Sequence, residues 1–316
     1  MTDIIATADD VRAVYRLILQ REPDPIGLAE HQSLVANQKI TTRQLLALAM
    51  NSPEYLSRHE RKVDIGGATL VVDATDPEFG QSIARDATWE PHIVAVISNN
   101  LRPGHVFVDI GANVGVMSFY AALVVGPEGK VISFEPNDDN ARFFLRGVFE
   151  SKFENFVRLY RFALSDSQSI FSMAGGSNSN LVPAAGPTRL VQAVRGDDLL
   201  AHEPRIDAMK LDIEGFEPFA LRGLERTIAK HKPLILCEFN PRCLVSHAKV
   251  QPARFAAQIF QLTSDVEVIE HDGASSHVAT PAALMNLWEA KDEQAVQSNL
   301  LPRGMLHFDL LFRATR

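Results

Sequence analysis

Cysteine is scarce in this sequence. Cys237 and Cys243 are the only two among 316 residues, and they do not form a C-x-x-C pair. Two thiols at that spacing make neither a disulfide framework nor a thiolate metal cluster. Cys237 falls in an apolar run and reads as a core thiol. Long apolar runs are missing too. Nowhere do about 18 apolar residues follow one another, so no membrane-spanning helix is expected. The first ten residues are acidic and lack the basic flank and apolar segment of a signal peptide, so a cytoplasmic location is expected. There is no basic stripe, and the net charge is −8, which disfavours nucleic acid as a partner. No G-x-S-x-G, P-loop, internal repeat or low-complexity tract occurs, nor any histidine pair at metal-ligand spacing. His271 and His277 flank a loop of small residues and are expected to be exposed.

What is present is a hydrophobic content of 46%, ordinary for a chain with a sizeable core. The stretch that organises it runs from Val106 to Gly115. Val106 to Ile110 is an apolar run with one charge, Asp109, suited to a buried strand of a parallel sheet. Gly111 and Gly115 then bracket a turn, and Asn113 is placed to cap a helix over about 114–125. Glycines let a ligand approach the backbone, and free N–H groups at a helix start favour a polar or anionic group. The spacing Asp109-x-Gly111-x-Asn113-x-Gly115 lacks the third glycine of a dinucleotide fingerprint, which counts against NAD. The next strand, Lys130 to Glu135, ends in an acid about 20 residues past the helix start, where a carboxylate can accept both ribose hydroxyls. The pair points to an adenosine-containing ligand.

Strand–helix alternation continues: a hairpin over 63–72, a helix from Trp89-Glu90-Pro91 to about Asn99, and a helix over about 138–149. A strand near Phe156 to Leu164 ends in Ser165-Asp166, where an acid can accept from an adenine amino group. Further strands are expected over 205–211, 234–240, 266–270 and 305–312, with helices over about 217–230 and 252–262. This is the pattern of a doubly wound α/β fold. Residues 174–187, rich in small and turn-forming types, read as a mobile loop or a lid. Residues 1–60 read as a separate helical unit. Val11, Val14, Tyr15, Ile18 and Leu19 share one helical face, Asp24-Pro25 starts a second helix, Thr41-x-x-Gln44 is a capping box, and Ser52-Pro53 starts a last short helix.

Four motifs carry a family resemblance: Val108–Gly115, Phe134-Glu135-Pro136-Asn137, Ala163–Asp166, and Lys210-Leu-Asp212-Ile-Glu214-Gly-Phe-Glu217. In that order and spacing they resemble the FkbM family of S-adenosylmethionine-dependent O-methyltransferases, over residues 63–316 as one domain. The resemblance implies a Rossmann-like class I sheet of seven strands, the last antiparallel. It also implies a cofactor site drawn from Asp109, Gly111, Ala112, Asn113, Gly115, Glu135, Pro136, Asn137, Ser165, Asp166 and Asp212. An acid–proline pair at the rim of that site corresponds to Glu90. Tyr15–Gly27 and Asn51–Tyr55 are similar to a small helical domain found beside bacterial glycosyltransferases, which suggests a homodimer or a glycosyltransferase partner through residues 1–60.

Methyl transfer to a hydroxyl needs positioning and a base within hydrogen-bond reach. Asp212 and Glu214 stand at a strand end where the methyl group is expected, and Lys210 is placed to hold one of these carboxylates. Asp212, Glu238 and Asn240 together offer three oxygen ligands for Mg2+; the metal-free mechanism is the one taken. The expectation is an O-methyltransferase for a hydroxyl-bearing substrate, a sugar of a bacterial glycan or glycolipid first. A polyketide or other secondary metabolite, or a non-catalytic adenosyl-binding scaffold, are the alternatives.

Overall fold

The computed structural model describes residues 4–50, 52–77, 79–174, 180–182 and 189–315. They fall into two compact units, Met1–Arg61 with Asp73–Thr75, and Lys62–Val72 with Asp76–Arg316.

The first unit holds four helices, Ala8–Leu17, Pro25–Gln38, Thr42–Met50 and Pro53–His59. Its helix starts are capped locally. The Asp24 carboxylate accepts from the Gly27 N–H at 2.9 Å, Thr41 and Gln44 exchange backbone-to-side-chain bonds, and Ser52 Oγ accepts from the Tyr55 N–H. Satisfying these N–H groups is worth about 1 kcal/mol per cap. Val11, Val14, Tyr15, Leu19, Val35 and Leu45 close into a core of their own.

The second unit is built on one sheet of eight strands. They are β1 (Val106–Ile110), β2 (Lys130–Phe134), β3 (Val157–Tyr160), β4 (Ala208–Leu211), β5 (Leu234–Phe239), β6 (Val266–Ile269), β7 (Ser275–Val278) and β8 (Phe308–Arg313). The order across the sheet is β7-β6-β8-β5-β4-β1-β2-β3. β1 to β5 are parallel, β8 runs against both β5 and β6, and β7 pairs antiparallel with β6. Side chains alternate to two cores. Phe107 joins the helices Pro91–Asn100, Val116–Val125 and Asp138–Ser151 on one face, while Val108 and Ile110 join Leu221, Ile228, Phe255 and Leu284 on the other. Full burial of a side chain such as Phe119 or Phe255 contributes about 1.5–3 kcal/mol.

Four expectations change here. The sheet has eight strands rather than seven, because the turn at 271–273 folds the chain back as the extra edge strand β7. The single strand expected over Phe156–Leu164 breaks after Tyr160. Its last part, Ala163–Leu164, pairs with Arg189–Val194 in a separate four-stranded sheet with Ser169–Ala174 and Asn180–Val182. The helix expected over 217–230 is two, Glu217–Gly223 and Glu225–His231. The Asp197 carboxylate accepts the N–H groups of Arg226 and Thr227 and so starts the second one anew. The long helix Pro281–Gln297, capped by Thr280, carries no clear apolar stripe and was not expected. Of the loop or lid expected at 174–187, residues 175–179 and 183–188 lie outside the described residues.

Candidate active site

The strand order reverses between β1 and β4, and ligands of open α/β sheets bind beyond the carboxyl ends at such a switch point. A cavity of about 900 Å³ lies there, lined from the ends of β1, β2, β4 and β5 and from the helix start at Glu90.

At the end of β1, the N–H groups of Gly111 and Ala112 both donate to the Phe134 carbonyl at 3.0 Å, which ties the glycine turn to β2. Gly111 has φ +88°, and a Cβ there would stand 1.9 Å from the Asp212 carbonyl oxygen. Its glycine therefore serves the approach of two strand ends more than the approach of a ligand. Gly115 has φ +101°, and a Cβ would press on the rings of Phe119 and Phe144. Asn113 does not cap the helix as expected. Gly115 occupies that position, and Asn113 sits at φ +51° with its Oδ1 accepting from the Val114 N–H.

Glu135 follows β2 and lines the cavity, 5% exposed. Its Oε2 accepts from the Asn113 N–H at 2.9 Å and its Oε1 from the Asn137 N–H at 2.7 Å. Burial pushes this carboxyl up to about 7, against the pull of those two donors. Ala112, Asn113 and Pro136 line the cavity with it. Asn137 stands apart, as the cap of Asp138–Ser151 with its side chain on the Asp139 N–H.

Asp109 is fully buried behind the turn and does not line the cavity. Its Oδ2 accepts from Ser118 Oγ at 2.6 Å, and sheet register sets it beside Lys210. Lys210, also buried, donates from Nζ to Asp212 Oδ2 at 2.8 Å. Burial works against its charge, but Asp212, Asp109 and Glu90 outweigh that and raise its pKa. One ammonium thus fixes one carboxylate oxygen of Asp212 and balances two further acids. Glu90, half-buried at φ +45° where the helix Pro91–Asn100 begins, caps nothing with its side chain. Loss of solvent and then the Asp212 carboxylate push its carboxyl up to about 7.

Ser165 and Asp166 do not reach the cavity; Ala163 and Leu164 line it in their stead. Asp166 is paired with Arg222 at 2.8 Å. The turn after β4 is held from within by Glu217, whose buried Oε1 accepts the N–H groups of Ile213 and Gly215. Gly215, at φ +96°, lets this turn lie against the Cys243 backbone, where a Cβ would stand 2.4 Å from the carbonyl carbon. Glu214 lines the cavity with its Oε2 accepting from Cys243 Sγ at 3.2 Å. Glu217 closes the fourth motif in the sequence, yet only the folded turn shows its work.

Glu238 and Asn240 line the cavity from the end of β5, joined by Asn240 Nδ2 donating to Glu238 Oε1 at 3.1 Å. Burial, with the charges of Asp212 and Glu217, raises the Glu238 carboxyl well above its usual range. The Lys210 ammonium already occupies Asp212 Oδ2, which leaves a poor donor set for Mg2+. Among the described residues, no three His, Cys, Asp or Glu side chains are placed to hold a metal ion. Sequence reading also missed a row of imidazoles, because its members are far apart in the chain. The rings of His92 and His271 stand 5.5 Å apart and those of His271 and His307 4.3 Å apart. His271, exposed as expected, and His307 both line the cavity.

Among the described residues, no helix is long and apolar enough to cross a membrane. The chain is similar over 71 residues, at 32% identity, to a protein-L-isoaspartate O-methyltransferase of Methanopyrus kandleri. That match covers 22% of this chain and 31% of the relative, so the chain spans under a third of the curated relative it matches. Among solved structures it is similar to methyltransferase FkbM from Methylobacillus flagellatus, at 16% identity and TM-score 0.42, over 95% of this chain and 58% of that one. It is similar also to P. horikoshii TYW2 in complex with MeSAdo, at 14% identity and TM-score 0.40, over 81% and 71% of the two chains. The sequence itself matches the model of the methyltransferase FkbM domain over residues 109–251.

Proposed function

We propose that the chain is an S-adenosylmethionine-dependent O-methyltransferase acting on a hydroxyl, that of a sugar in a bacterial glycan or glycolipid. The observation that carries this reading is one cavity shared by the Glu135 carboxyl and the Lys210–Asp212 pair, at the ends of the two parallel strands that flank β1. The residues present fit the cofactor. Glu135 would accept the ribose hydroxyls, Ala112 and Asn113 would face the nucleoside, and Met117, Phe134 and Leu164 give apolar walls for an adenine ring. Glu90 would face the methionine end.

S-adenosylmethionine, when bound, supplies a methyl group on a sulfonium sulfur. Asp212 holds and orients the acceptor. Its Oδ2 is fixed by Lys210, and its Oδ1 is left to take the proton of the acceptor hydroxyl as the new O–CH3 bond forms. Positioning supplies most of the rate. The sugar acceptor draws its support from the likeness of Tyr15–Gly27 and Asn51–Tyr55 to the helical domain found beside bacterial glycosyltransferases.

Calorimetry with S-adenosylhomocysteine and NADH tests the cofactor. Binding of the first and not the second is expected; the reverse would overturn the reading. With an acceptor in hand, Asp212→Asn is expected to keep S-adenosylhomocysteine affinity within a few-fold and to lower turnover by about 10²–10⁴. Full turnover by this variant would remove Asp212 from the mechanism.

A further inference from the structure

The far end of the cavity, beyond β5, has a different charge from the rest. It is formed by Asn240, Arg242, Ser246 and His247, which follow β5, and by Met305 and His307, which precede β8. The only acid among the β5-end residues is Glu238, buried, its carboxyl raised well above the ordinary range by loss of solvent and by the nearby acids, with His307 Nε2 4.0 Å from its Oε1. Glu214 is turned to Cys243 Sγ. The Arg242 guanidinium makes no ion pair among the described residues; it rests on the Met305 thioether, a weak acceptor. Most of a guanidinium's five donors are thus left to a ligand, in a concave site flanked by two imidazoles.

We propose that this end of the cavity binds an anionic group, a carboxylate or a phosphate, carried by the methyl acceptor, with Arg242 as its main partner and His247 and His307 beside it. The inference rests on the methyltransferase reading above, since it names what the acceptor must carry. The chemistry is that of charge-assisted bonds to a planar fork, which suits carboxylate and phosphate alike. Three acceptor-like probes separate the cases: glucose is neutral, glucuronate carries a carboxylate, and glucose 6-phosphate carries a phosphate. Inorganic phosphate tests the site without a sugar.

The experiment is calorimetry on the full chain loaded with S-adenosylhomocysteine. At least one anionic sugar is expected to bind about tenfold or more tightly than glucose. Which anionic sugar binds tells carboxylate from phosphate. Arg242→Met should abolish that preference and Arg242→Lys should restore part of it. Arg242 is exposed, so an unchanged melting temperature shows that the variant is folded. Equal binding of glucose and both anions, no binding of any anion, or a preference that survives Arg242→Met would each overturn the proposal. So would a different pattern in the cofactor arm. If Arg242→Met weakens S-adenosylhomocysteine but leaves 5′-methylthioadenosine untouched, the guanidinium serves the cofactor's carboxylate instead. Failure of wild-type protein to bind S-adenosylhomocysteine sinks the methyltransferase reading. Loss of the anion preference alone sinks only this one.

Discussion

Glu135 is a buried carboxyl pushed up to about 7 that nevertheless accepts two backbone N–H groups. Ribose hydroxyls donate to the ionised form, so cofactor binding should draw the carboxyl into ionisation. Below pH 7 binding must then release a proton, about one at pH 6, and release should vanish near pH 8.5. Affinity accordingly rises with pH up to about 7 and levels above it. Calorimetry in buffers of different ionisation heat measures this directly. Glu135→Gln should lose about tenfold or more in affinity, the worth of one charge-assisted bond, and should remove its share of the released proton. Glu90, also near 7, contributes what release remains in the variant. Proton release unchanged by Glu135→Gln would exclude Glu135 as the ribose acceptor. Glu135 and Asp212 were legible in the sequence because an acid at the end of an apolar run sits at a strand's carboxyl end. Asn137 and Asp166 occupy similar places yet are used locally, one as a helix cap and one in a pair with Arg222. No spacing rule separates those uses.

At the scale of elements, the turn 212–217 shows what a motif conceals. Its six residues suggested two catalytic acids. The structure adds that the last acid, Glu217, builds the loop that presents Asp212 and Glu214. Its carboxyl is pushed from 4.5 up to about 8 by burial, with the two donors opposing. The sign follows: between about 4.5 and 8 the unfolded chain is ionised there while the folded chain holds the proton. The contribution to stability is full below 4.5 and is lost as pH rises towards 8. The unliganded protein should therefore melt lower at pH 8 than at pH 5, and Glu217→Gln, which does not ionise, should flatten that dependence. Glu217→Ala should cost about 2–4 kcal/mol at neutral pH, from two orphaned N–H groups and a cavity. Thermal melts across that range check both. An identical pH slope in wild type and Glu217→Gln would contradict the assignment. Element boundaries were legible where a cap or glycine marked them, as at Asp24, Thr41 and Gly111. They were not where a distant side chain decides, as when Asp197 restarts a helix at Glu225.

Over the whole molecule, the alternation of apolar runs and amphipathic stretches pointed to the parallel sheet, since four of its five parallel strands, all but the edge strand β3, read as near-continuous apolar segments. It did not give β7 or the four-stranded sheet, whose strands are short and half polar. Each of the two compact units has a core of its own: Val11, Tyr15 and Leu45 in the first, and the two faces of the eight-stranded sheet in the second. We therefore propose that the methyltransferase unit folds without residues 1–59. The cut belongs before Glu60, because Glu60–Asp64 pairs with Thr69–Asp73 and a start at Lys62 would halve that strand. All the cavity's lining residues lie in the second unit, from Phe79 to His307. A chain beginning at Glu60 should accordingly be soluble and bind S-adenosylhomocysteine within about threefold of the full chain, a difference of under about 1 kcal/mol. The four-helix unit on its own should bind none. Gel filtration of both chains reads out any self-association that travels with the helices. An insoluble chain from Glu60, or one folded but with affinity lowered by about tenfold or more, would mean that the helices are part of the catalytic fold.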